Sequence, residues 1–356
     1  MKCINWILAQ DASNFEALTF KTTILLSQHQ FDNGHQVAQQ LQQLYPLNAY
    51  VYGLLVDADV ELGKYEDAVE AAEKMVSIRP DIRSYSRIAY LREIHGDIPG
   101  AIEAMKMAVD AGAPGDENTE WCRIQAGKLF EKLGKVKEAK MHYTIAQENR
   151  PNYPYAVAGL ARIAIAEKKY SDALRLFEHA DSLIPDHTFK EGMAEVYSIT
   201  GQSEKAKRIS RENLEYMKQF SSETKKSAPD PDIEDAGQNE DHEMAHAYMG
   251  VGDYNNALIY ALQEYRRRVS NIEVNETVAL VYYGQGDYAK ALSFIDTALK
   301  TNCKNPELLC HAGLIYAKSG KSKQAKILLS DALKNNPCIP VELEKESRAV
   351  LKEIQR

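Results

Sequence analysis

The segment His242-Glu243-Met244-Ala245-His246 sets two imidazoles four residues apart on one face of a predicted helix, with a carboxylate between them. That spacing suits a Zn²⁺ ion held by both rings, with Glu243 as general base toward a metal-bound water. Glu264 is the candidate third ligand. A zinc-dependent hydrolase centred on residues 242–246 is therefore the enzymatic alternative. Two observations weigh against it. Ala245 and Tyr248 fall on places that recur along the whole chain, so the motif is accounted for as one copy of a repeated helix. His246 also precedes the turn at Gly252 by less than Glu264 follows it. At about 1.5 Å rise per residue the two groups lie at different depths. The remaining chemistry is sparse. The five cysteines (Cys3, Cys122, Cys303, Cys310, Cys338) are an odd number without a CxxC pair, which excludes a disulfide framework and a thiolate zinc site. Cys122 has no histidine near it in sequence and reads as a buried, inert thiol. No phosphate-cradling glycine loop and no Gly-x-Ser-x-Gly occurs. No catalytic residue and no cofactor is assigned.

The glycines mark something other than a phosphate site. Gly63, Gly96, Gly134, Gly201, Gly252, Gly286 and Gly320 recur at a spacing of about 34 residues. Each is followed five places on by alanine: Ala68, Ala101, Ala139, Ala206, Ala257, Ala291 and Ala325. A further copy has Lys168 in the glycine place and Ala173 in the alanine place. A weaker one at the start has His29, Phe31 and Gly34. Before each turn runs a helix with a small or medium residue at a fixed place (Val56, Ala89, Gly127, Ala161, Ala194, Ala245, Ala279, Gly313). There an antiparallel partner helix can approach closely. After the turn, apolar residues three to four apart mark a second helix, which Pro46, Pro80, Pro151, Pro185 and Pro337 end. A unit this short cannot bury its own apolar face, so copies must stack into a solenoid.

This pattern resembles the tetratricopeptide repeat, over about residues 14–337. The copies are 14–47, 48–81, 82–118, 119–152, 153–186, 187–220, 237–270, 271–304 and 305–338. The block from Arg79-Pro80-Asp81 to His95-Gly96-Asp97 resembles a stretch met in long bacterial tetratricopeptide-repeat proteins of unassigned function. The resemblance implies an all-α, right-handed superhelical solenoid of antiparallel helix pairs. It also implies a non-enzymatic scaffold that binds a peptide or protein segment in its concave groove. In this family the first helices line that groove, which assigns to it Tyr50, Asp57, Glu61, Tyr90, Glu93, Trp121, Lys128, Glu131, Arg162, Glu191, Glu195, His242, His246, Glu276 and Tyr283. Exposed aromatics and arginines are frequent interface anchors. The groove glutamates favour a basic or neutral ligand. The carboxylate clamp of Lys and Asn that holds chaperone tails is missing, so that partner class is not expected.

Two interruptions organise the chain. The turn Gly112-Ala113-Pro114-Gly115 lengthens one copy, with Asn118-Thr119 expected to cap the helix beginning at Trp121. Residues 221–236, rich in Ser, Pro, Asp, Glu and Lys, are expected to be a mobile acidic and polar loop. They separate six copies (14–220) from three (237–338). Residues 1–13 read as the second helix of an incomplete repeat, and 339–356 as a charged capping helix. Such an incomplete repeat offers a face for self-association. The net charge of -8 and the absence of a clustered basic face argue against nucleic acid. The run Arg266-Arg267-Arg268 reads as a helix C-terminus complementing the dipole. No stretch approaches the length of a membrane span. The chain as it stands reads as soluble and cytoplasmic; a leader upstream would direct it to the periplasm or cell surface.

Overall fold

A computed structural model describes residues 1–226, 240–334 and 336–355. All regular structure among them is α-helix. A single helix α1 (Lys2–Gln10) leads into nine antiparallel pairs: α2 (Phe15–Ser27) with α3 (Phe31–Leu44), α4 (Ala49–Leu62) with α5 (Tyr65–Ile78), α6 (Ile82–Ile94) with α7 (Ile98–Asp110), α8 (Glu117–Lys132) with α9 (Val136–Asn149), α10 (Pro154–Ala166) with α11 (Tyr170–Leu183), α12 (His187–Ile199) with α13 (Ser203–Lys226), α14 (Asp241–Gly250) with α15 (Tyr254–Arg267), α16 (Ile272–Gln285) with α17 (Tyr288–Ala298), and α18 (Pro306–Lys318) with α19 (Ser322–Ala332). The last helix is α20 (Val341–Ile354). Helix α13 continues through Lys226, into the segment expected to be loop, and the rest of that segment lies outside the described residues. Helix α8 starts at Glu117, earlier than expected, so Thr119 is buried inside it rather than capping it.

Local chemistry explains the pairs. Asx side chains accept backbone N–H groups at helix starts, as Asp81 does from Arg83 and Ser84, with Ser84 returning the bond in a capping box. The turn positions need left-handed backbone. His29 and Lys168, standing in the glycine place, adopt it at φ 55° and 60°. The repeated alanines Ala68, Ala101, Ala139, Ala173, Ala257, Ala291 and Ala325 are all fully buried. A larger side chain there would push the two helices of a pair apart.

The solenoid closes on itself. Glu61 pairs with Arg268 across a separation of 207 residues. Asn271 donates to the carbonyls of Val60 and Glu61, and the Ile272 N–H donates to the Tyr65 hydroxyl at 2.9 Å. One repeat on, the Cys303 thiol faces the Glu93 carbonyl, 210 residues away. One further, Asn336 donates to the Lys132 carbonyl at 3.0 Å, 204 residues away. This nearly constant register is about six repeats of 34 residues. The superhelix therefore completes a turn in about six copies, and the second turn stacks on the first. Along this stretch the second turn walls the concave groove expected from the repeats into a channel. Arg266 and Arg267 fall in the last turn of α15 with Arg268 as its C-cap, as expected, and the run has a second role. Arg268, 8% exposed, is a seam residue bound to Glu61 and Glu264, and Arg267 binds Asp241 at 2.5 Å.

Candidate functional site: an enclosed concave channel

Along the first helices of the pairs, four charged pairs join one copy to the next. Arg87 on α6 takes Asp57 on α4 in a bidentate pair at 2.8 and 2.6 Å. Lys132 on α8 takes Glu93 on α6. Arg162 on α10 takes Glu131 on α8 at 3.1 Å, and both share the Tyr143 hydroxyl. On α18, His311 contacts Glu276 on α16 at 2.7 Å. Burial works against a charged His311, but that bond and the charges of Glu276, Glu307 and Glu346 outweigh it and raise its pKa. The Arg83 guanidinium lies over the Tyr50 ring, and the Tyr90 hydroxyl donates to Glu273 at the seam between the two turns at 3.3 Å.

Between these staples some groups stay unengaged. Lys128, Glu191 and Glu307 have no side-chain partner among the described residues. A cavity of about 330 Å³ collects Lys128, Lys132, Arg162, Glu131, Glu195 and Glu307. Its roof is the segment Asn336–Pro340. Desolvation in the channel, with the charge of Arg162, holds the Lys128 ammonium down at about 8. Desolvation also raises Glu195 and Glu307, whose carboxylates repel each other. Glu191 is raised by burial and then by Asp186 and Glu243. Trp121, 45% exposed, stands on the first turns of α8.

His242 and His246 lie side by side on α14 with ring centroids 4.8 Å apart. His246 Nε2 meets the Thr277 hydroxyl at 3.1 Å, and burial with the neighbouring His242 pushes its pKa down to about 3. The proposed third ligand is engaged elsewhere. Glu264 is 1% exposed and bound by Arg267, Arg268 and His29. Among the described residues no three His, Cys, Asp or Glu side chains converge as a metal-ligand set. All five cysteines are free, and burial pushes Cys122 up to about 12.

Channel residues that spacing had not singled out are Arg87, Lys132, Glu273, Glu307 and His311. A signal existed for two of them: counted back from the turn glycine, Glu273 and Glu307 hold the place of Tyr50 and Trp121.

The geometry defines an α-solenoid of stacked helical hairpins. The tetratricopeptide repeat family matches at residues 49–82, 124–187 and 306–337. The chain carries tetratricopeptide repeats over these residues. No curated protein sequence matches it. Among solved structures it is similar to PilW, a widely conserved type IV pilus biogenesis factor, at 14% identity over 56% of this chain and 91% of that one (TM-score 0.49). It is also similar to a tetratricopeptide repeat protein from Parabacteroides merdae, at 17% identity over 77% and 99% (TM-score 0.41). A third likeness is to the Cut9–Hcn1 hetero-tetramer of the APC/C, at 15% identity over 93% of this chain (TM-score 0.45). This chain spans about half (51%) of the length of that matched chain. Among the described residues no helix is long and apolar enough to cross a membrane. Such repeats stack into extended concave binding surfaces, which makes the coarse role that of a protein-interaction scaffold.

Proposed function

We propose that this protein is a non-enzymatic scaffold that holds a segment of a protein partner in its concave channel. One observation carries the reading: first helices of three copies bring Lys128, Glu195 and Glu307 to one cavity, and Lys128 and Glu307 make no hydrogen bond or ion pair with another side chain there. Both side chains are exposed to the channel, so a ligand can offer a carboxylate to Lys128 and a cation to Glu307 without breaking a bond of the fold. A preformed channel also keeps the ordering cost of binding on the partner's side. The test is a photoreactive residue at position 128 in the intact chain, with one at Met141 on the outward helix α9 as control. The expected result is a discrete protein adduct from position 128, absent at 141 and suppressed in a Glu307→Lys chain. Identical adducts from both positions would refute the channel as the binding surface.

A further inference from the structure

The segment after α19 enters the channel it should merely cap. Asn336 bonds the Lys132 carbonyl, the Val341 N–H donates to Glu195 at 3.3 Å, and Tyr283 donates to Glu346 at 2.7 Å. The Val341 side chain packs on the apolar cluster of α10–α12. Thus Glu195 and Tyr283, two groove residues, are already occupied by the chain's own C-terminal helix.

That helix is loosely seated. One face carries Leu343, Val350, Leu351 and Ile354 onto the end of α18 and α19. Its other face, with Glu342, Lys345, Glu346 and Ala349, stands across a cavity of about 640 Å³ from Met249, Leu280 and Tyr283. Within α20 only Ser347 is fully buried. The apolar wall of Met249, Leu280 and Leu314 forfeits dispersion contacts across the unfilled cleft, and elements with few buried contacts open first.

We propose that α20 is an intramolecular occupant of the channel, and that the partner segment is a short amphipathic helix that takes its place over Leu280 and Tyr283. The inference rests on the scaffold reading and adds the form of the ligand and the regulation of its site. The occupant is read from α20 itself: an amphipathic helix already lies there, its apolar side on α18 and α19, Leu343 reaching the cleft, and Glu346 tied to Tyr283. A partner helix filling the cleft adds apolar contacts that α20 does not make, which is the differential affinity a displacement requires.

The probe is a fluorescein-labelled peptide copying residues 336–355. It is titrated against the full chain and against a full-length Val341→Asp/Glu346→Lys variant, which loosens α20 from the channel and leaves its capping face intact. Hydrogen exchange of the α20 amides reads the opening. Expected are faster exchange in α20 of the variant and peptide binding at least about tenfold tighter than to wild type, since the cis helix no longer competes. Equal affinity for both chains, or no binding to the opened variant, overturns the proposal. Unchanged α20 exchange in the variant does so as well. Should the double variant fail to fold, Tyr283→Phe removes a single hydroxyl and must raise α20 exchange in the same direction. Failure of the scaffold reading is separate: it shows as absence of the position-128 adduct while the peptide still displaces α20.

Discussion

The closure of the superhelix can be tested with one methyl group. Gly63 ends α4 at φ +70°, and a β-carbon built there would lie 2.3 Å from the Ser270 carbonyl oxygen and 2.8 Å from the Ser270 Cβ. Gly286 ends α16 at φ +78° in the same role and has nothing within 4 Å. Alanine at either site costs about 1–2 kcal/mol for left-handed backbone. Only at position 63 does the methyl also strike the main chain of the next superhelical turn.

Ser270 cannot retreat without breaking what is anchored around it. Relief by separation loses the Arg268–Glu61 pair, two Asn271 hydrogen bonds and the Ile272–Tyr65 bond. At about 1 kcal/mol net for each, opening this part of the seam adds on the order of 3–4 kcal/mol. Gly286→Ala should therefore lose about 1–2 kcal/mol, and Gly63→Ala about 4–6 kcal/mol. Urea titration followed by circular dichroism at 222 nm measures the difference, and small-angle X-ray scattering reports any opening as a larger radius of gyration. Gly96→Ala should follow Gly63, because its β-carbon would sit 2.6 Å from the Asn302 carbonyl oxygen. If Gly63→Ala loses no more than Gly286→Ala and scatters like wild type, the two turns do not touch in solution.

Other substitutions probe the elements around the seam and the ends. Arg268→Ala strands Glu264, whose pKa is held near 2: burial pulls it upward, but the His29 bond and the charges of Arg268 and Arg267 prevail. Loss of a buried pair's partner costs about 3–5 kcal/mol. The native carboxyl is depressed, so its contribution is present above the unfolded pKa of about 4.3 and disappears as pH falls toward 2. In the variant, acid unfolding followed by circular dichroism should begin at higher pH, and an unchanged acid midpoint would contradict the assignment. Lys168→Gly removes left-handed strain at an exposed turn and should raise stability by about 0.5–1 kcal/mol; a destabilised variant would show that Lys168 makes contacts beyond its backbone. Self-association through the first helix is the remaining possibility, since α1 has no buried residue and Trp6 on it is 69% exposed. If α1 mediates it, Trp6→Ser lowers the mass measured by light scattering, and a mass insensitive to that change removes the idea.

The hairpins were readable from residues because their causes are local. A left-handed turn followed five places later by an alanine that must vanish between helices leaves a mark at each copy. The mark persists even where glycine is replaced, as at His29 and Lys168. The seam was not, since it depends on a small rotation per repeat summed over about six repeats, and no single copy encodes that sum. Its only trace was chemical: Arg268, Asn271 and Asn336 are polar residues in connecting loops, and all three are buried. The role of α20 stayed hidden likewise, because an amphipathic closing helix looks the same whether it caps the end or also leans into the channel.

The pairing pattern decides which channel residues can report on a partner. Asp57–Arg87, Glu93–Lys132, Glu131–Arg162 and Glu276–His311 each join one first helix to the next, so they hold neighbouring copies together. Reversing Arg162 would leave Glu131 and Tyr143 unmatched and weaken the stack itself, and lost binding in that variant would say nothing about contact with a ligand. Lys128 and Glu307 are free of this duty. Lys128→Gln and Glu307→Gln should leave the urea midpoint of the chain nearly unchanged, because surface substitutions outside a network shift stability by about 0.5 kcal/mol or less. If they lower partner capture at constant stability, recognition runs through the charges that the repeat stack does not consume. If capture survives both and is lost only when the stack melts, the channel supports the fold and the partner binds elsewhere.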